Sequence, residues 1–228
     1  MRAIVMGGTS GIGLATAEHL TAIGVDVTVT GRDQAKLTRA RGRFAGAEQL
    51  DGTDREAVAA FFERYGVVDH LVLAFSPGPV GLGPIREVDM EAVEGAFSGK
   101  LFAYLHAISH SQVRESITMI SAASARAAVP GSVVLAAVNG AVERIVSPLA
   151  AELAPVRVNA VSPGVVDTPW WSFLSEEQRH AQFAAVAGSV PAGRVGSAAD
   201  VAEAVGYLTR ASLVTGTVLA VDGGFTIA

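Results

Sequence analysis

Met6-Gly7-Gly8-Thr9-Ser10-Gly11-Ile12-Gly13 closes a short apolar run, Ala3 to Met6, and opens a segment with helical spacing of its apolar residues. A turn built from glycines lets the backbone approach a ligand closely, and the first turn of the helix behind it presents unpaired N–H groups and the positive end of its dipole. A dinucleotide pyrophosphate requires this arrangement. Its placement after a strand and before a helix gives the glycine spacing its meaning. Gly7, Gly11 and Gly13 carry the turn, and Thr9, Ser10 and Ile12 complete the loop around the phosphates.

Outward from this turn, short apolar runs alternate with longer helix-periodic segments to the end of the chain. The strand candidates are Ala3 to Met6, Val25 to Thr30, Ala47 to Asp51, Leu71 to Phe75, Ile117 to Ser121, Val156 to Val161 and Val218 to Val221. Helical patterns lie near residues 12 to 23, 33 to 43, 54 to 64, 89 to 111, 132 to 153 and 198 to 210. Such alternation predicts an α/β fold: a Rossmann-type, doubly wound, parallel seven-stranded sheet with helices on both faces and a ligand at the carboxyl ends of its strands. Residues 1 to 228 read as one domain. Pro148 falls inside the helical pattern of residues 132 to 153, where it removes a backbone donor and predicts a kink or a local break.

Composition narrows the function classes. Seventeen basic and twenty-two acidic residues give a net charge of -5 with no basic block, which argues against a nucleic-acid or anionic-membrane surface. The chain has no cysteine, so it has no disulfide, no thiolate metal site and no thiol nucleophile, and no metal is expected. The apolar first strand lacks the charged region and cleavage site of a signal peptide. The longest uncharged run, Ala127 to Val142, is interrupted by Pro130, Gly131 and Asn139. A cytoplasmic protein is expected.

Four ordered motifs resemble the short-chain dehydrogenase/reductase family over nearly the whole chain. Met6 to Gly13 is similar to its T-G-x-x-x-G-x-G, with methionine in place of threonine. Asp51-Gly52-Thr53-Asp54 resembles the element whose first aspartate meets the adenine amino group. Ser162 to Pro169 resembles the loop that holds the nicotinamide carboxamide and the pyrophosphate, and Arg194-Val195-Gly196 through Val221-Asp222-Gly223-Gly224 resembles the C-terminal signature. The resemblance implies a cofactor site that adds Asp51, Gly52, Ala74, Phe75, Pro163, Gly164, Val166 and Thr168 to the glycine turn. Relatives that prefer NAD place an acid where Gly31 stands. The next residue is Arg32, whose guanidinium suits a phosphate unless it is solvated or paired with Asp33. NADP(H) is favoured, with NAD(H) the alternative.

The same resemblance implies a catalytic serine, tyrosine, lysine and asparagine, and none of these four residue types is in place. Counting back from Asn139-Gly140-Ala141, Leu135 and Asn139 stand for the tyrosine and lysine, Ala122 for the serine, and Lys100 for the asparagine. Lys100, Ser121 and Asn139 are the polar candidates for chemistry. Ala122, Leu135, Trp170 and Trp171 are candidates for substrate contact. A lid is expected at about 168 to 190, with a capping box at Ser175-x-x-Gln178 opening a short helix that carries Phe183 and Val186. The expected function is hydride transfer, with NADP(H), to or from a small apolar carbonyl or activated alkene. The alternative is a catalytically silent dinucleotide-binding protein acting as a sensor or as a non-catalytic subunit. The family's habit of assembly implies a homodimer or homotetramer through the helices expected at Glu91 to Gln112 and Ser132 to Leu153.

Overall fold

The computed structural model describes residues 1–227; Ala228, the last residue of the expected domain, lies outside them. Seven parallel strands form one sheet: β1 (Arg2–Met6), β2 (Asp26–Gly31), β3 (Gly46–Gln49), β4 (Val67–Leu73), β5 (Gln112–Ile120), β6 (Arg157–Pro163) and β9 (Val218–Val221). Their order is β3-β2-β1-β4-β5-β6-β9, so the winding reverses between β1 and β4. Met6 at the end of β1 pairs with Thr30 of β2 and Leu73 of β4, and the crevice of the topological switch opens just beyond these residues.

Alternation along β1 divides the core. Ile4 and Met6 face the cluster built on α3 (Arg55–Tyr65), α5 (Ala103–His110), α6 (Val133–Arg144) and α7 (Val146–Glu152). Ala3 and Val5 face α1 (Gly11–Ala22), α2 (Gln34–Ala40) and α9 (Ala198–Arg210). Strands buried on both faces read as continuous apolar runs, which is why they stand out in the sequence. β5 begins earlier than expected because its first half is polar, with Gln112, Arg114 and Glu115 exposed; β4 begins earlier too, at Val67, where Asp69 and His70 interrupt its apolar run. Ala74 and Phe75 lie past the end of β4, Leu50 and Asp51 past the end of β3, and Ser121 past the end of β5.

One long helix expected as continuous is broken, and a second breaks near Pro148 as expected. The pattern at 89 to 111 resolves into α4 (Met90–Phe97), a π-helical turn at Ser98–Phe102, and α5. Gln112, expected inside that helix, is the first residue of β5. The pattern at 132 to 153 divides at Ile145, within one turn of Pro148, which cannot donate to the Arg144 carbonyl. Val133–Glu152 is long and apolar enough to cross a membrane by length and composition, but Val138, Val142 and Val146 are buried in the core, as expected of a helix covering a sheet.

Candidate active site

One cleft of about 830 Å³ runs along the carboxyl ends of the strands at the switch point. It is lined by every residue singled out for cofactor, substrate or chemistry in the sequence, with the exception of Gly13. Gly13 lies beneath the turn instead, where a β-carbon would stand 2.2 Å from the Gly7 carbonyl oxygen. Gly7 is held at φ +81 against the Ala74 carbonyl, and both Gly7 and Gly8 donate N–H bonds to the Thr30 carbonyl. The loop between β1 and α1 is thereby tied to β2 and β4. Ser10 is the N-cap residue of α1, yet its hydroxyl makes no capping bond, so the helix opens into the cleft without a cap from its own chain.

The end of the cleft beside β2 is charged. Arg32 lines it with its side chain 67% exposed, 4.0 Å from Asp51. Asp33 does not pair with Arg32; it caps α2 by accepting the Lys36 N–H at 3.0 Å. That bond, the largest cause that acts downward, holds the Asp33 carboxyl below the usual range. Lys36, in the first turn of α2, also lines the cleft and supplies a second cation that the sequence reading missed. At Gly31 a β-carbon would meet the Thr9 hydroxyl oxygen at 2.6 Å, so an acidic side chain has no room there unless Thr9 moves.

At the opposite end the walls are apolar. Val80, Ala96 and Val138 belong to a small cluster packed between α4, α6 and the segment after β4. Trp170 and Trp171 stand at the mouth with ring centroids 4.8 Å apart. Trp171 is pinned by its indole N–H to the Val166 carbonyl at 3.0 Å and by an edge-on contact with Phe183. Phe183 lies on α8 (Glu176–Ser189), which Ser175 and Gln178 open with the reciprocal capping box expected. A second, two-residue parallel pair, β7 (Val166–Asp167) with β8 (Gly196–Ser197), fixes the root of this segment; it is too short to leave a periodic signal in sequence.

Among the described residues, Lys100 is the one charged residue lining this apolar end, and it is 7% exposed. It sits in the π-helical turn, where Gly99 lets the backbone meet Pro77 closely. Its ammonium donates to Asn139 Oδ1 at 2.6 Å and to the Ser121 carbonyl at 3.4 Å. The Asn139 amide is fully engaged, because its Nδ2 donates to Ser124 Oγ at 3.3 Å and to the Leu135 carbonyl at 2.9 Å. The Ser121 hydroxyl points away from the cleft, to Glu143 Oε1 at 2.9 Å. Glu143 also accepts from Ser162 Oγ at 2.7 Å and pairs with Arg126 at 3.2 Å. Sequence reasoning missed Glu143; its spacing from Leu135 and Asn139, two turns and one turn along one face of α6, was the available signal. Burial lowers the Lys100 ammonium to about 8, and the Glu143 charge works against that shift. Tyr104 lies next to this group with its hydroxyl on the Phe75 carbonyl, and burial pushes its phenol well above the ordinary range. The rings of His106 and His110 lie 4.3 Å apart, tilted by 51°, on α5 outside the main cleft.

A family model described as enoyl-(acyl carrier protein) reductase matches residues 7–226. The chain belongs to the short-chain dehydrogenase/reductase family. It is similar to a cis-4-hydroxycyclohexanecarboxylate dehydrogenase of Sinomonas cyclohexanicum, 34% identical over 98% of this chain and 96% of that one. A small-chain dehydrogenase solved in complex with NADPH is 31% identical, covers 100% of this chain and 99% of its own, and superposes with a TM-score of 0.87. An actinorhodin polyketide ketoreductase variant solved with NADPH is 27% identical, with 100% and 97% covered and the same TM-score. Lys100 and Asn139, expected from the sequence at the family's asparagine and lysine positions, are hydrogen-bonded to each other.

Proposed function

We propose that this protein is an NADP(H)-preferring oxidoreductase that transfers hydride to or from a small, largely apolar carbonyl or activated alkene, through a proton-transfer site that departs from the family's. The observation that carries this reading is the polarity of the cleft at the switch point. An uncapped helix N-terminus lies over a glycine turn, two cations stand at the β2 end, and an apolar chamber at the other end holds a single ammonium. The volume falls in the upper part of the range of about 300–1,000 Å³ usual for ligand sites.

The residues present fit a dinucleotide. Gly7, Gly11 and Gly13 keep the turn free of side chains, Ser10 offers an uncommitted hydroxyl, and the N–H groups of the first turn of α1 face negative charge. Arg32 and Lys36 would hold the 2′-phosphate that distinguishes NADPH from NADH. The exposed Arg32–Asp51 pair contributes little and leaves the guanidinium free to turn. Asp51, Gly52 and Phe75 would border the adenosine, and Pro163, Gly164, Val166 and Thr168 the nicotinamide end. Bound there, the reduced nicotinamide supplies hydride to an electrophilic carbon. Leu135 and Ala122 bring no proton or hydrogen bond to the reacting oxygen. Their part is to shape an apolar floor, while Trp170 and Trp171 cover the substrate and exclude water. NADPH-bound relatives support the cofactor, and the relative named for a hydroxycyclohexanecarboxylate suggests ring ketones as first substrates.

The test is NADPH oxidation with a panel of cyclic ketones, enones and quinones. Turnover that depends on substrate and exceeds the rate with NADH is expected. Tight cofactor binding with no turnover across the panel would instead favour a silent dinucleotide-binding protein.

A further inference from the structure

Seventeen lysine and arginine residues are spread along the chain, but only two are lysines, Lys36 and Lys100, and both line the same cleft. Elsewhere the chain uses arginine for its exposed cations. Arginine holds its proton at any working pH, whereas the lysine ammonium releases one readily when buried. Lys36 stands among charged groups at one end, and Lys100 is buried at the other with two of its three N–H bonds directed to Asn139 and the Ser121 carbonyl. Neither acceptor is a base that takes the proton. One donor remains for a ligand in the chamber.

Resting on the oxidoreductase reading above, we propose that Lys100 is the acid that protonates the reacting oxygen of the substrate, and that Asn139 and Glu143 are positioning residues that aim its ammonium and keep it charged. In the reductive direction the carbonyl carbon receives hydride from the reduced nicotinamide, and the C=O π pair moves onto oxygen. That oxygen forms a bond to a proton of Lys100 Nζ as the N–H bond breaks. The carbonyl becomes an alcohol, the nicotinamide is oxidised, and the neutral amine recovers its proton from water. In the oxidative direction the amine takes the hydroxyl proton as hydride leaves carbon.

The surroundings suit a group that must lose and regain a proton. Glu143 on α6 and Arg126 after β5 are the nearby charges, paired with one another at 3.2 Å. Tyr104 on α5 keeps its proton, with its hydroxyl committed to a backbone carbonyl. The ends of β5 and β6 contribute only Ser121 and Ser162, both donating to Glu143. With its titration near 8, Lys100 is about half protonated in mildly alkaline solution, where general acids work well.

The presence of just two lysines makes a direct test practical. In protein labelled with [ε-¹³C]lysine, two resonances are expected, assigned by Lys36→Arg. The Lys100 signal should titrate near 8, and lower still in Glu143→Gln, which removes the carboxylate charge but leaves a side chain able to meet both serines. In turnover, kcat for reduction should fall as pH rises through the same value. Lys100→Arg should bind NADPH as the parent does and lose about 10²- to 10⁴-fold in kcat, because charge without a transferable proton is insufficient. A Lys100 resonance titrating at the ordinary lysine value, or Lys100→Arg keeping kcat within a few-fold of the parent, overturns the assignment and leaves the oxidoreductase reading intact. A parent protein that binds NADPH but reduces nothing overturns both.

Discussion

A buried ammonium sets up a pH dependence of stability that can be isolated from every other titration in the chain. Lys100 releases its proton at about 8 in the folded protein and at the ordinary value, 10.5, when unfolded. Between those values the unfolded chain binds more protons than the native one, so stability rises with pH across this window; the penalty of the buried charge is fully present below 8 and gone above 10.5. Lys100→Met lacks that dependence, although it also strands the Asn139 oxygen, a constant cost. The stability difference between parent and Lys100→Met should therefore move by roughly 3 kcal/mol in the parent's favour as pH rises from below 8 to above 10.5, measured by chemical denaturation. A difference that stays flat would show that Lys100 is not held in a desolvated site. At the other end of the cleft, Arg32→Ala should weaken NADPH about 10- to 100-fold, the loss of a charge-assisted bond to phosphate, and leave NADH within about two-fold. Both residues were legible as candidates. Lys36 and Glu143 were not, for related reasons: a lysine one turn into a helix and a lone glutamate on an apolar helix both read as solvated. Only the tertiary structure brings the second cation to Arg32, or Ser121, Ser162 and Arg126 to one carboxylate.

Local rules were legible in the elements wherever the governing chemistry is local. The Ser175–Gln178 capping box involves four consecutive residues, and it stands as read. The break near Pro148 follows from one missing donor. The π-helical turn at Ser98–Phe102 has no such local signal, because the apolar pattern across residues 89 to 111 fits a continuous helix within the tolerance of a 3.6-residue period. It is the element that presents Lys100 to the cleft. Two glycines in helices separate packing from propensity. In α1, Gly13→Ala would drive a methyl into the Gly7 carbonyl at 2.2 Å, a backbone atom that cannot swing aside. That variant should lose at least about 1–3 kcal/mol of stability together with dinucleotide binding. In α6, a β-carbon at Gly140 meets nothing within 4 Å, so Gly140→Ala should stabilise the protein by about 0.5–1 kcal/mol. Thermal unfolding of the two variants checks both signs.

In the molecule as a whole, seven strands in parallel order place a cleft at one edge of the sheet, and the chain's unusual polar groups converge on it. The fold could be read because parallel strands covered on both faces must be apolar throughout, and the glycine turn marks the first crossover. What the sequence left open is pairwise: which side chain meets which across Lys100, Asn139 and Glu143. The cleft is proposed as a dinucleotide site before anything else. Calorimetric titration of the purified protein with NADPH and, in parallel, NADH tests this most directly. Saturable binding is expected, with NADPH the tighter of the two; no binding of either would overturn the cofactor assignment.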